Sequence, residues 1–315
     1  MVLKYSNQSF IKIRSNVYCS SLLEYKGDIS ATIRKPMLDY NNKTTKHIEV
    51  NFSKSVHPFF VHRYIKFTHF RDSLKNGNME LVFASPYKWN DPYETMYYEP
   101  NVKIGADTFN IACMCCCYDD VESEESAWNR NNLPANVDEK TIKVSFNMDS
   151  LCDVLEQYAS QNPGISLYFS IVDYSQSKSQ LIPKNKPSSY SSIGDYISIM
   201  SLKRKAFAYE NELRIFAVSE NTQPFFSSDG LFKVSVPVAS PSLLAKVTLP
   251  PMSPILPKDP RFVVYPELQD IENYDLRLEI ERILPGVQIN QSQLYNMKKS
   301  LSSWIKKYTS LKSIW

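Results

Sequence analysis

An α+β fold is the class this sequence predicts, and three observations predict it. Segments that alternate apolar and polar residues are mixed irregularly with segments of helical spacing, without the regular strand–helix rhythm of a parallel sheet. Twenty tyrosines and sixteen phenylalanines favour strands and aromatic cores. Only seven glycines occur, with no G-x-G-x-x-G and no G-x-x-x-x-G-K run, which argues against Rossmann-type dinucleotide binding and P-loop hydrolysis.

Length and composition narrow the class further. A chain of 315 residues can hold one large domain or two, and 43% hydrophobic with 22% charged residues is the balance of a folded globular protein. A formal charge of +3 is too small to name a polyanionic partner by itself. The longest apolar run, Ile111 to Cys117, falls far short of a membrane span, and Met1 to Gln8 lacks the apolar core of a secretory signal. A cytoplasmic location with no membrane partner is therefore expected. Cys113, Cys115, Cys116 and Cys117 crowd together where zinc would need separated pairs, and adjacent cysteines in a strand point to opposite faces. The expectation is a buried strand with reduced thiols and no metal.

The elements follow in order. Residues 1–57 are polar and irregular, with strand-like pieces at Phe10–Arg14 and His47–Phe52, and read as an extension or small subdomain ahead of the core. A strand at Phe59–Phe67 leads to a helix at His69–Lys75, an Asn76-Gly77-Asn78 turn and a short strand at Glu80–Ala84. Ser85–Glu94 is a loop rich in turn residues and aromatics. The cysteine strand comes next, then an acidic patch (Asp119, Asp120, Glu122, Glu124, Glu125) leading to Trp128. Lys143–Phe146 alternates as a strand, Asp149–Gln161 has helical spacing, and Ile165–Tyr174 is a strand. A Ser/Lys/Pro-rich loop spans 175–192, and Ile193–Lys203 reads as a helix. Strands follow around Leu231–Val238 and Lys246–Leu249, and Asp270–Leu284 is a helix stopped by Pro285-Gly286. In the last segment, 293–315, Leu294, Met297, Leu301, Trp304, Tyr308 and Leu311 form a heptad-like stripe, with five lysines at other positions. Such a basic amphipathic helix packs on its own core, on a partner helix or on nucleic acid.

The run Lys203–Ala217 carries the clearest chemistry. From Phe207 to Phe216 the alternation is nearly strict, so a strand would put Glu210, Glu212 and Arg214 on one face. Neighbouring carboxylates need a positive answer, and Arg214 is one candidate. The plainer alternative is a solvated strand face with an ordinary ion pair.

Ordered blocks along the chain resemble a bacterial family, domain of unknown function 2971. His62–Phe67 followed by Leu81–Glu94 is similar to that family's hallmark block. Cys115–Cys117 with Trp128 is similar to its cysteine–tryptophan block, and Lys205–Arg214 to its Tyr-Glu-x-Glu block. Lys246–Pro251 and Val287–Ser292 resemble its closing blocks, so the similarity marks 58–292 as the core. Its most specific marks are Asn90-Asp91-Pro92-Tyr93-Glu94 and Tyr209–Arg214.

The block order is in turn similar to that of ADP-ribosyltransferases of the Arg–Ser–Glu type. This resemblance implies an ADP-ribosyltransferase-like split β-sandwich core flanked by helices, with NAD as co-substrate. It puts Arg63, or its neighbour His62, at the basic position for NAD and Glu210-x-Glu212 at the catalytic position. Cys117 falls where the pattern expects Ser, and a thiol is a poorer donor than a hydroxyl. Glu212 would stabilise the oxocarbenium-like charge on the ribose, and Glu210 would face the acceptor. Arg63 would neutralise pyrophosphate, and Tyr64, Tyr93 or Trp128 would stack on nicotinamide or adenine. Asn90, Asp91 and Glu94 read either as a structural turn or, with Arg214, as groups that position the acceptor.

The implied protein is an intracellular ADP-ribosyltransferase, a bacterial toxin or phage-defence effector that modifies nucleic acid or protein. An antitoxin or regulatory partner would take the C-terminal helix. Two other readings stay open: a non-catalytic nucleic-acid or protein binding module on the same fold, and a metal-dependent nuclease using Asp91, Glu94, Glu210 and Glu212.

Overall fold

Strand-forming alternation in the sequence becomes one large, mostly antiparallel open sheet carrying a few helices, a mixed α+β arrangement. The computed structural model describes residues 11–14, 17–19, 60–89, 91–118, 128, 137–174, 190, 192–220, 226–227, 229–238, 243–250 and 273–292. Thirteen strands run through them: β1 (Ile11–Arg14), β2 (Val17–Cys19), β3 (Phe60–Lys66), β4 (Leu74–Lys75), β5 (Asn78–Ala84), β6 (Val102–Ile104) and β7 (Asp107–Tyr118), then β8 (Thr141–Asn147), β9 (Ile165–Ile171), β10 (Glu212–Ser219), β11 (Leu231–Pro237), β12 (Leu244–Leu249) and β13 (Gln288–Gln291). The helices are α1 (Phe67–Ser73), α2 (Pro92–Thr95), α3 (Met148–Gln161), α4 (Ile193–Met200) and α5 (Tyr274–Ile283).

Neighbouring strands follow the order β1-β2-β9-β10-β7-β3-β8-β12-β13, with β5 joining β11, β4 and β7, and β6 on β7. Among the described strands, β2–β9 and β12–β13 pair in parallel and the rest antiparallel. β7 pairs with β10 from Glu212–Cys117 to Ser219–Asn110, whereas among the described residues its pairing with β3 is at Val61–Tyr118 and His62–Cys117 and does not continue past them towards Arg63 and Cys116. β3 continues along β8 through Lys66–Thr141. The two halves of the sheet therefore part just past His62 and Cys117.

Strand alternation gives each face its own core. Leu213, Ile215 and Ala217 of β10 pack with Ala112, Met114 and Cys116 of β7, under Leu151, Leu155 and Ala159 of α3. Phe216 and Val218 turn the other way, with Ile111, Cys113 and Tyr168, under Tyr196, Ile197 and Met200 of α4. Burying one such Leu, Ile or Phe stabilises the fold by about 1.5–3 kcal/mol. Side-chain caps start α3 and α4: Asn147 accepts from the Ser150 N–H of α3 at 3.1 Å, and Ser192 from the Asp195 N–H of α4 at 3.1 Å.

The structure corrects two sequence expectations. The stretch from Phe207 is not a continuous strand: Lys205–Glu210 forms a 3-10 turn, Asn211 is left-handed (φ 42°, ψ 56°), and β10 begins at Glu212. The helix expected to reach Lys203 ends at Met200, because Lys203 donates its N–H to the Asp173 carbonyl at 3.0 Å instead. The segment 293–315, Asn90, His47–Phe52 and the acidic residues 119–125 lie outside the described residues. Of residues 1–57, β1 and β2 are described, and β2 pairs with β9 at the end of the strand path.

Candidate functional site

Three opposed strand positions meet where the halves part. Glu212 opens β10, Cys117 faces it across β7, and His62 faces Cys117 across β3. Directly opposed residues lie side by side on one face of a sheet. A cleft of about 750 Å³ opens beside them, within the usual range for small-molecule sites. His62, Arg63 and Tyr64 from β3 line it together with Lys203, Glu210 and Glu212, and Trp89, Asp91 and Glu94 come from the aromatic loop.

A charge cluster forms the floor. Arg214 is 1% exposed and Glu212 5%, so the solvated-face alternative does not hold. Arg214 Nε donates to Glu212 Oε1 at 2.9 Å and its Nη2 to Glu212 Oε2 at 3.1 Å; Nη2 also reaches Glu94 Oε2, and Nη1 donates to the Met200 carbonyl at 2.5 Å. The Trp89 ring covers the guanidinium at 4.2 Å. Lys203 Nζ meets three carboxylates: Glu210 Oε2 at 2.6 Å, Glu212 Oε2 at 3.0 Å and Glu94 Oε1 at 3.1 Å.

Electrostatics follow from this geometry. Burial alone would push the Glu212 carboxyl up, but the charges of Arg214 and Lys203, with hydrogen bonds from Arg214 and Cys115, hold it down at about 2. Burial likewise opposes the Lys203 charge, yet Glu212 and Glu94 outweigh it and raise the ammonium above its ordinary value. Tyr174, whose hydroxyl accepts the Glu212 N–H at 3.0 Å, is raised by burial and then by the Glu212 charge. Burial pushes the thiols of Cys113 and Cys116 up, as inert reduced thiols require.

The remaining expected residues have distinct places. His62 Nδ1 lies 2.9 Å from Ser145 Oγ. Arg63 lines the cleft, its Nη1 3.5 Å from the Val82 carbonyl, the long end of a hydrogen bond. Tyr64 lines it too, while Trp128 stands behind, buried and edge-on to Tyr64 with centroids 5.0 Å apart. Cys117 is half-buried on the cleft wall. Asp91 performs two tasks: Oδ1 accepts the Tyr93 N–H at 2.9 Å, capping α2, and Oδ2 pairs with Arg204 at 2.8 Å. Arg204 lies over the rings of Tyr93 and Phe207, 4.7 Å from each. Asp91 and Glu94 thus bind the loop to the cleft wall and form part of that wall.

Lys203, Arg204 and Trp89 are the site residues that sequence reasoning missed. Lys203 and Arg204 begin the very run that holds the glutamates, and Trp89 precedes Asn-Asp-Pro, but no spacing rule points them inward. Among the described residues, no group of three or more His, Cys, Asp or Glu side chains is placed to hold a metal ion; the glutamates converge on an ammonium instead. No described helix is long and apolar enough to cross a membrane. Comparison of the chain with protein-family models, with curated proteins and with solved structures gave no match.

Proposed function

We propose that this protein is an NAD-dependent ADP-ribosyltransferase whose site is the cleft between β3 and β7. The observation that carries the reading is the meeting of three distant sequence blocks at that cleft: His62–Tyr64, Cys117, and Glu210 with Glu212. The early parting of the β3–β7 ladder supports a split β-sandwich of the transferase type. The likeness of the blocks to domain of unknown function 2971 supports the same conclusion.

Residue roles follow from the chemistry. Breaking the nicotinamide–ribose bond builds positive charge on the ribose, and Glu212, kept ionised, stabilises it. Glu210, on the same ammonium at 2.6 Å, faces the acceptor. Arg63 takes pyrophosphate, and His62, Tyr64 and Cys117 complete the nucleotide wall. The acceptor is nucleic acid or protein, and an intracellular toxin or phage-defence role suits this chemistry.

The test is transfer of labelled ADP-ribose, or release of nicotinamide, by the full chain. Glu212→Gln is expected to lose at least a hundredfold in rate with its circular dichroism spectrum unchanged. Full activity in that variant refutes the assignment. A non-catalytic binding module is the second reading, favoured by the saturation of Glu212 with Arg214 and Lys203 bonds. It predicts no NAD binding by calorimetry alongside tight binding of nucleic acid or protein.

A further inference from the structure

The cluster holds three carboxylates from three separate elements: Glu94 from α2, Glu210 from the 3-10 turn and Glu212 from the first position of β10. In a buried site weakly screened by water, such groups repel strongly unless a cation stands among them. Arg214 answers Glu94 and Glu212. Lys203 brings in Glu210: its ammonium donates to Glu210 and Glu212 and pairs with Glu94 at 3.1 Å. Its backbone is fixed as well. The Lys203 N–H bonds to Asp173, Leu202 bridges Asp173, and the Phe207 ring lies 5.3 Å from the ammonium.

We propose that Lys203 is the positioning residue of this cleft: by donating to Glu210 and Glu212 while pairing with Glu94, it holds Glu210 and Glu212 together and presents them side by side to a bound ligand. What the pair does to a ligand rests on the transferase reading; how the pair is held does not. Without the ammonium they share, two neighbouring buried carboxylates tend to hold one proton between them. One of them then becomes a neutral acid, unable to accept an acceptor's proton. The groups facing the ammonium are Glu94 from α2, Glu210 from the turn, and Glu212 and Arg214 from β10. Cys115 of β7 and Tyr174 after β9 adjoin Glu212, while the neighbouring Arg204 is taken by Asp91.

The experiment compares the unsubstituted full chain with Lys203→Met and Lys203→Arg, following glutamate carboxyl titration by NMR with labelled glutamate. Lys203→Met is expected to move one glutamate titration upward, to above about pH 6, and Lys203→Arg to leave it in place. With NAD as the probe, Lys203→Met is expected to lose about tenfold more turnover than the unsubstituted protein between pH 8 and pH 6. A folded Lys203→Met variant with unchanged glutamate titrations overturns the proposal. Should that variant fail to fold, the Lys203→Met/Glu210→Gln double variant removes the repulsion and is expected to regain the fold; a double variant as unfolded as the single one overturns the proposal equally. An unsubstituted protein that never turns over NAD refutes the transferase reading and leaves the titration result standing.

Discussion

Arg214 shows what a buried charge requires in this protein. Its guanidinium spends its donors on Glu212, Glu94 and a carbonyl, and an indole covers its face. Removing it leaves two carboxylates buried without that partner, so Arg214→Met is expected to lose about 3–5 kcal/mol in urea titration. Arg214→Lys is expected to recover little of this, because an ammonium cannot reproduce the fork. Glu212 gives the same cluster a pH signature. Its folded value of about 2 lies below the ordinary 4.5. A depressed carboxyl stabilises the fold above its ordinary value, and that contribution drains as pH falls through the folded value. Stability is expected to drop by about 3 kcal/mol between about pH 4.5 and pH 2, a step missing from Glu212→Gln. The glutamates and Arg214 were legible in the sequence as charges needing one another. Lys203 was not, because it reaches them through tertiary folding rather than strand periodicity.

Among the elements, the joint at Asn211 matters most. Its left-handed backbone turns the chain from the 3-10 turn into β10, so that Glu210 and Glu212 reach one ammonium although they do not belong to one continuous strand. Asn tolerates this region and β-branched residues do not. Asn211→Val is expected to cost about 1–2 kcal/mol more than Asn211→Gly in thermal unfolding, since both lose the same side chain and glycine alone adopts the left-handed backbone freely. The strand β5 and the amphipathic helix α3 were readable to within a few residues, since burial on one face writes its period into the sequence, and β7, β8 and β9, buried largely on both faces, were readable from their β-forming residues. The 3-10 turn was unreadable for the converse reason. Its aromatic residues Phe207 and Tyr209 alternate as a strand would, yet they pack on each other, and Phe207 takes its cation from Arg204 at the turn's own start.

For the whole molecule, the decisive feature is the parting of β3 from β7 past His62 and Cys117. Alternation located most strands, but how far two strands stay paired depends on residues distant in sequence, so the cleft itself was not legible. Only the resemblance brought its walls together. On the transferase reading, NAD at about a hundred times its Kd is expected to stabilise the fold by about 2.7 kcal/mol, read as a rise in Tm. Arg63→Gln is expected to shrink that rise, and a Tm unmoved by NAD argues for the binding-module reading. The floor of the cleft has a further consequence when its formal charges are counted. Three carboxylates face two cations, leaving one negative charge in excess. The nicotinamide ring of NAD is positive while bonded to ribose and neutral once released. If the cleft takes NAD as proposed, a floor with this sign attracts the ring before cleavage and has no hold on it afterwards, so the same charges that stabilise the bond-breaking step would favour departure of the leaving group.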